Sequence, residues 1–249
     1  MPLSTATFRF YEELNDFLPP RRRKIRFPVS FRDSPAIKDT IESLGVPHTE
    51  VDVILVNGLS IGFSYRLHNG DDVAVYPVFE SFDVTAVTRL RPAPLRKIAF
   101  VCDVHLGRLA RALRVLGFDT LYRNDYSDRE IVAIAVAGHR IVLTRDRGLL
   151  KHASVTHGYC VRSTDWREQA HEVIARFDLQ GAAAPFTRCA ECNGNITPVD
   201  KEKIIDLLDI RTKQCYDEFS RCGECGRIYW EGSHFPKLQE LVREMIKGK

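Results

Sequence analysis

The spacing of apolar residues divides the chain into three stretches. Within residues 1–85, strand-like runs at Ala6 to Tyr11 and Ile25 to Phe31 flank a Pro19-Pro20 turn and the basic run Arg21-Arg22-Arg23-Lys24, which predicts a hairpin. Ser34-Pro35 then opens a helical spacing of Ile37, Ile41 and Leu44 that Gly45 ends. Two more strands follow, Val51 to Asn57 and Asp72 to Val78, with turn chemistry at Asn57-Gly58 and Asn69-Gly70. The order is ββαββ. Residues 86–96, with Arg89, Arg91, Pro92 and Pro94, have the composition of an extended linker.

From residue 97 to 182 the period alternates between strand and helix. Ile98 to Cys102 is a short apolar strand, and Leu106, Leu109, Ala110, Leu113 and Leu116 recur at helical spacing up to Gly117. Phe118 to Tyr122 is strand-like, Asp128 to Ala137 helical, Arg140 to Thr144 and Tyr159 to Arg162 strands, and Asp165 to Phe177 a last helix. Such alternation predicts an α/β domain, a parallel sheet flanked by helices with its strand ends on one rim. Residues 183–249 hold too few apolar positions for a core of their own and close with a helix at about Phe235 to Ile246.

Composition adds little until it is divided along the chain. Among 249 residues, 44% are hydrophobic and 28% charged, as in ordinary globular proteins, and no apolar run is long enough to span a bilayer. Met1-Pro2-Leu3-Ser4-Thr5 lacks the basic and apolar regions of a secretory leader, so a cytoplasmic location and no membrane partner are expected. The net charge of +3 conceals an uneven distribution: residues 1–85 carry −3, residues 86–180 carry +6, and residues 181–249 are balanced. A basic middle third suits an anionic partner.

Acidic residues in that basic stretch fall at equivalent places. Asp103 follows the strand ending at Cys102, and Asp146 follows the strand ending at Thr144, so both belong at carboxyl ends of parallel strands, where open α/β sheets bind ligands. Asp128 opens a helix in a connection to the same rim, with Asp125 just before it. Carboxylates gathered in this way repel one another unless a cation lies between them, and oxygen ligands suit Mg²⁺ or Mn²⁺. Such a site can activate water against a phosphodiester. Each aspartate also has a plainer reading as a helix cap or a turn former. Arg108 and Arg111 on the first helix, and Arg145, Arg147 and Lys151 around Asp146, are candidate phosphate contacts, or else solvated surface charges.

Of seven cysteines, four form Cys189-x-x-Cys192 and Cys222-x-x-Cys225, a spacing that predicts a closed structural Zn²⁺ site. Cys102 and Cys160 fall within apolar runs and are expected to be buried thiols, and Cys215 has no partner at knuckle spacing. Tyr229 and Trp230, just after the second pair, are placed either to stack on unpaired RNA bases or to cover the small ribbon core.

Two resemblances draw these readings together. The N-terminal ββαββ order resembles a ubiquitin-like β-grasp of the sulfur-carrier type. The run Tyr76-Pro77-Val78-Phe79-Glu80-Ser81-Phe82 has no Gly-Gly, so a binding or docking module for a protein partner is expected rather than a conjugating one. The motifs Phe100-Val101-Cys102-Asp103-Val104-His105-Leu106-Gly107-Arg108, Asn124-Asp125-Tyr126-Ser127-Asp128 and Leu143-Thr144-Arg145-Asp146-Arg147 resemble the C-terminal ribonuclease domain of the Mut-seven family. The end of the ribbon, Ile228-Tyr229-Trp230-Glu231-Gly232-Ser233-His234, is also similar to it. That resemblance implies a PIN-like nuclease fold, RNA as substrate, Asp103, Asp128 and Asp146 as metal-site acids with Asp125 or Asp165 as a fourth, and the paired cysteines as zinc ligands. Two functions follow as expectations. One is a metal-dependent ribonuclease; the other is a protein that binds RNA, such as tRNA, rRNA or the ribosome, with little turnover.

Overall fold

The computed structural model describes residues 3–77, 90 and 98–247. The expected linker, 86–96, and the stretch after Pro77 therefore lie outside the described residues, apart from Leu90. In chain order the elements are β1 (Ser4–Phe10), β2 (Phe27–Phe31), α1 (Ile37–Ser43), β3 (Val51–Val56), β4 (Leu59–Ser60), β5 (Asp72–Pro77), β6 (Ala99–Cys102), α2 (Gly107–Val115), β7 (Asp119–Leu121), α3 (Asp128–Gly138), β8 (Ile141–Thr144), α4 (Arg147–Leu150), β9 (Gly158–Cys160), α5 (Trp166–Arg176), β10 (Ile196–Val199), α6 (Ile210–Cys215), β11 (Phe219–Cys222), β12 (Ile228–Tyr229) and α7 (Phe235–Lys247). They fall into two compact units, one with the described residues of 1–97 and 128–160, the other with 98–127 and 161–249.

In the first unit the N-terminal strands form one five-stranded sheet in the order β2-β1-β5-β3-β4. The hairpin β1–β2 is antiparallel, whereas β1 and β5, far apart in sequence, pair in parallel at the centre. A parallel pair between the first and last strands cannot be closed by a tight turn and needs a crossover, which α1 supplies. Its Ile37 and Ile41 are buried with Phe8, Phe10 and Ile54. This is the ubiquitin-like arrangement. The short β4 and a 3₁₀ segment at Glu12–Phe17 have no clear sequence period.

The same unit contains α3, β8, α4 and β9, with β8 and β9 parallel. Its two sequence portions are joined by buried polar contacts. Glu50, fully buried, accepts the Cys160 amide at 2.5 Å, and His48 Nε2 lies 2.8 Å from the carbonyl of Val155. His48 Nδ1 meets Glu42 Oε1 at 2.6 Å. Burial, with Lys38 nearby, holds the imidazole below its usual range.

The second unit is built on β6 and β7, which are parallel, with α2 and α5. Leu106, Leu109, Leu113, Val173 and Ile174 form its interior with Phe100. Gly117 ends α2 at φ +93°, where any side chain would collide with the Ala184 carbonyl. The remainder of this unit is a three-stranded ribbon, β10-β11-β12, followed by α7. The ribbon has only a small apolar centre of Ile204, Leu208 and Phe219.

Candidate metal centres

Cys189 and Cys192 precede the turn before β10, and Cys222 and Cys225 begin the turn before β12. Their four sulfurs lie within 4.8 Å of one another. Cys189 and Cys225 are separated by 3.7 Å, and Cys192 and Cys222 by 3.4 Å. A tetrahedral ion with metal–sulfur bonds of about 2.3 Å requires sulfurs about 3.8 Å apart. The spacing therefore fits a single four-coordinate ion. Asn193 and Gly226 take φ of +71° and +74°, which turns each knuckle so that backbone amides face sulfur. The Cys192 amide meets Cys189 Sγ and the Gly194 amide meets Cys192 Sγ, both at 3.5 Å. Gly194 admits no side chain, because a Cβ would lie 2.8 Å from Cys222 Sγ.

The thiols are unequal. Burial acts to raise Cys189, but hydrogen bonds from the Tyr229 hydroxyl at 3.0 Å and the Cys192 amide outweigh it and bring this thiol down to about 7. Burial, and then hydrogen bonds with the neighbouring sulfurs of Cys222, Cys225 and Cys189, push Cys192 up to about 12. A closed set of four sulfurs leaves no open ligand position, which is the character of a structural site.

Arg114 and Asn193 hold the first knuckle to the α/β elements of this unit, a role the sequence did not disclose. Arg114, 4% exposed, donates from Nε to Thr120 O at 2.8 Å and from Nη1 to Glu191 O at 2.6 Å. Asn193 accepts the Thr120 amide at 2.9 Å and donates to Asp119 Oδ1 at 2.8 Å. The only sequence signals were an arginine on the apolar side of α2 and an asparagine directly after the first Cys-x-x-Cys pair.

The aspartates are distributed over both units. In the second, Asp103 directly follows β6, is 5% exposed, and accepts the Val104 amide at 2.6 Å. Asp165 caps α5 by accepting the amides of Arg167 and Glu168. Asp125 is exposed and ion-paired with Arg123 at 2.6 Å, which holds its carboxyl below the usual range. In the first unit, Asp128 is the first residue of α3, and Asp146 follows β8 and accepts the Gly148 amide at 2.7 Å. Capping is thus one real task of Asp103, Asp146 and Asp165.

The cations divide in the same way. Arg147 stacks on Phe17 and donates to the carbonyls of Phe17 and Asp16, and Lys151 donates to Glu42 O at 2.7 Å. Arg111 is ion-paired with Glu191. Arg108 and Arg145 are exposed and have no hydrogen-bond or ion-pair partner among the described residues. Tyr229 is half-buried with its hydroxyl on Cys189, while Trp230 is 40% exposed beside Tyr216 and Phe219. Cys102 and Cys160 are buried, as their apolar runs implied, and burial pushes the Cys102 thiol up.

A ubiquitin-like module, parallel α/β elements and a ribbon with a four-cysteine cluster of zinc-compatible geometry define a mixed α/β protein. Residues 98–242 match the family described as Mut7-C RNAse domain, and residues 3–83 match the Mut7-C ubiquitin family. The chain belongs to the Mut7-C RNAse domain family, which is a nuclease family. It is also 35% identical over 106 residues to the human protein named exonuclease mut-7 homolog, a stretch that is 40% of this chain and 12% of that protein. No solved structure matches. Among the described residues no helix is long and apolar enough to cross a membrane.

Proposed function

We propose that the protein is a ribonuclease that hydrolyses RNA phosphodiester bonds with Mg²⁺ or Mn²⁺ held by Asp103, Asp128 and Asp146. The observation that carries this reading is Asp103. Its carboxylate is almost fully buried directly after the parallel strand β6, at the carboxyl end where open α/β sheets bind their ligands. Asp146 has the corresponding position after β8, and the family match supports a nuclease. A hard divalent cation would bind these oxygens, supply a hydroxide-like water and stabilise the charge developing on phosphate. Asp165 is a stronger candidate than Asp125 for a fourth acid, because Arg123 already neutralises Asp125. Arg108 and Arg145 are the cations free to grip the RNA backbone. The ribbon holds Zn²⁺ for stability, not for hydrolysis.

The competing reading, binding of RNA or a ribosome with little turnover, draws on the capping hydrogen bonds of Asp103 and Asp146, which account for both residues without a metal. Labelled single-stranded RNA, tRNA and rRNA incubated with Mn²⁺ separate the two. The nuclease reading expects cleavage by the wild type that chelation stops and that Asp103→Asn and Asp146→Asn abolish. Binding without metal-dependent cleavage on all three RNAs would give the case to the second reading.

A further inference from the structure

Beside the cysteine site, the second unit has a groove of about 780 Å³, within the range of ligand-binding clefts. Phe219, Trp230, Ile196, Pro198 and Leu238 give it an apolar lining, and the Phe186–Phe235 ring pair, 4.9 Å between centroids, adds an aromatic wall. Trp230 is 40% exposed there, a costly posture for the largest side chain of a small ribbon unless something covers it. Carboxylates outnumber cations along the groove. Glu202, Glu218 and Glu231 all line the groove, are exposed, and form no ion pair among the described residues, although Lys203 adjoins Glu202. The groove's two cations are already engaged, Lys201 with Asp217 at 2.7 Å and Arg188 with Asp119 at 3.6 Å.

This electrostatic pattern conflicts with the sequence-based expectation that Trp230 stacks on RNA. Aromatic platforms for single-stranded nucleic acid work inside positively charged grooves, because each stacked base brings a phosphate with it. Here a base on Trp230 would bring its phosphate into a groove lined by Glu202, Glu218 and Glu231, whose two cations are already ion-paired. A chain with apolar anchors and ammonium or guanidinium groups meets the opposite situation. Its anchor fills the lining, its cations reach the three carboxylates, and the indole face attracts a cation directly.

We propose that this groove is a docking site for a basic peptide segment of a protein partner, one apolar or aromatic anchor flanked by lysines or arginines. None of the proposed hydrolytic acids lines the groove, so the docking site stands or falls independently of the nuclease reading. A Trp166→Phe background leaves Trp230 as the sole tryptophan, since the chain has two. In that full-length, zinc-loaded protein, a short peptide with a central Leu-Phe pair flanked by lysines is titrated while Trp230 emission is followed. The expected result is a saturable change that weakens with added salt. It should weaken about tenfold or more in the combined Glu202→Gln, Glu218→Gln and Glu231→Gln variant. That variant changes only exposed side chains, and unchanged zinc content verifies its fold. The same peptide with glutamates in place of lysines should give no response. Absence of a saturable response, equal affinity in the triple variant, or displacement of the peptide by oligouridylate at equal concentration would each overturn the proposal.

Discussion

The carboxylate of Glu50 accepts the backbone amide of Cys160 across 110 positions of sequence, so a residue of the ubiquitin-like module terminates a strand of the α/β elements. The module is therefore part of the first unit's interior. With Glu50 fully buried, Glu50→Ala should leave the Cys160 N–H unsatisfied and cost about 1–3 kcal/mol. Glu50→Gln, which keeps an acceptor, should cost less. Thermal unfolding of the two variants checks the order, and equal midpoints would mean that this bond does not couple the two sequence portions.

Replacing a ribbon ligand should release the metal. Cys192→Ser removes a thiolate and reduces bound zinc from one per chain to a small fraction, with faster proteolysis of residues 183–249. Stoichiometric zinc retained by the variant would contradict a four-cysteine site.

Zinc affinity should rise with pH. Metal binding needs all four sulfurs as thiolates, and at pH 8 Cys189, at about 7, is largely deprotonated while Cys192, at about 12, still holds its proton. Binding at pH 8 therefore releases at least one proton, and more below pH 7, where Cys189 is protonated too. Calorimetry in buffers of different ionisation enthalpy measures the number. A pH-independent affinity would show that the thiols are already ionised without metal.

Asp103→Asn should separate catalysis from folding. The amide oxygen can still accept the Val104 N–H, so the fold should be kept while cleavage falls by about 100-fold or more. Asp103→Ala, which loses the cap as well, should also lose about 0.5–2 kcal/mol. Unchanged cleavage by a well-folded Asp103→Asn protein would remove Asp103 from the site.

Arg114 is the tie between ribbon and α2. Arg114→Met keeps the apolar stem but abandons the carbonyls of Thr120 and Glu191, and should cost about 1.5–3 kcal/mol with zinc still bound. Loss of zinc along with stability would mean that the knuckle needs this anchor in order to form.

The sequence by itself determined what depends on local period and local chemistry. Ile37 and Ile41 marked a helix face, Leu106 to Gly117 marked a helix and its end, and two Cys-x-x-Cys pairs marked a cluster of four sulfurs, because helix periodicity, a glycine stop and knuckle geometry each act over only a few residues. Only the tertiary structure decided what depends on distant partners. It engaged Arg147 and Lys151 with carbonyls of Phe17 and Glu42, set the Tyr229 hydroxyl on Cys189, and placed Trp230 in a groove that Glu202, Glu218 and Glu231 also line. A cation's or an aromatic's role is fixed by the charge and shape of what folding brings beside it, and those neighbours lie far away along the chain.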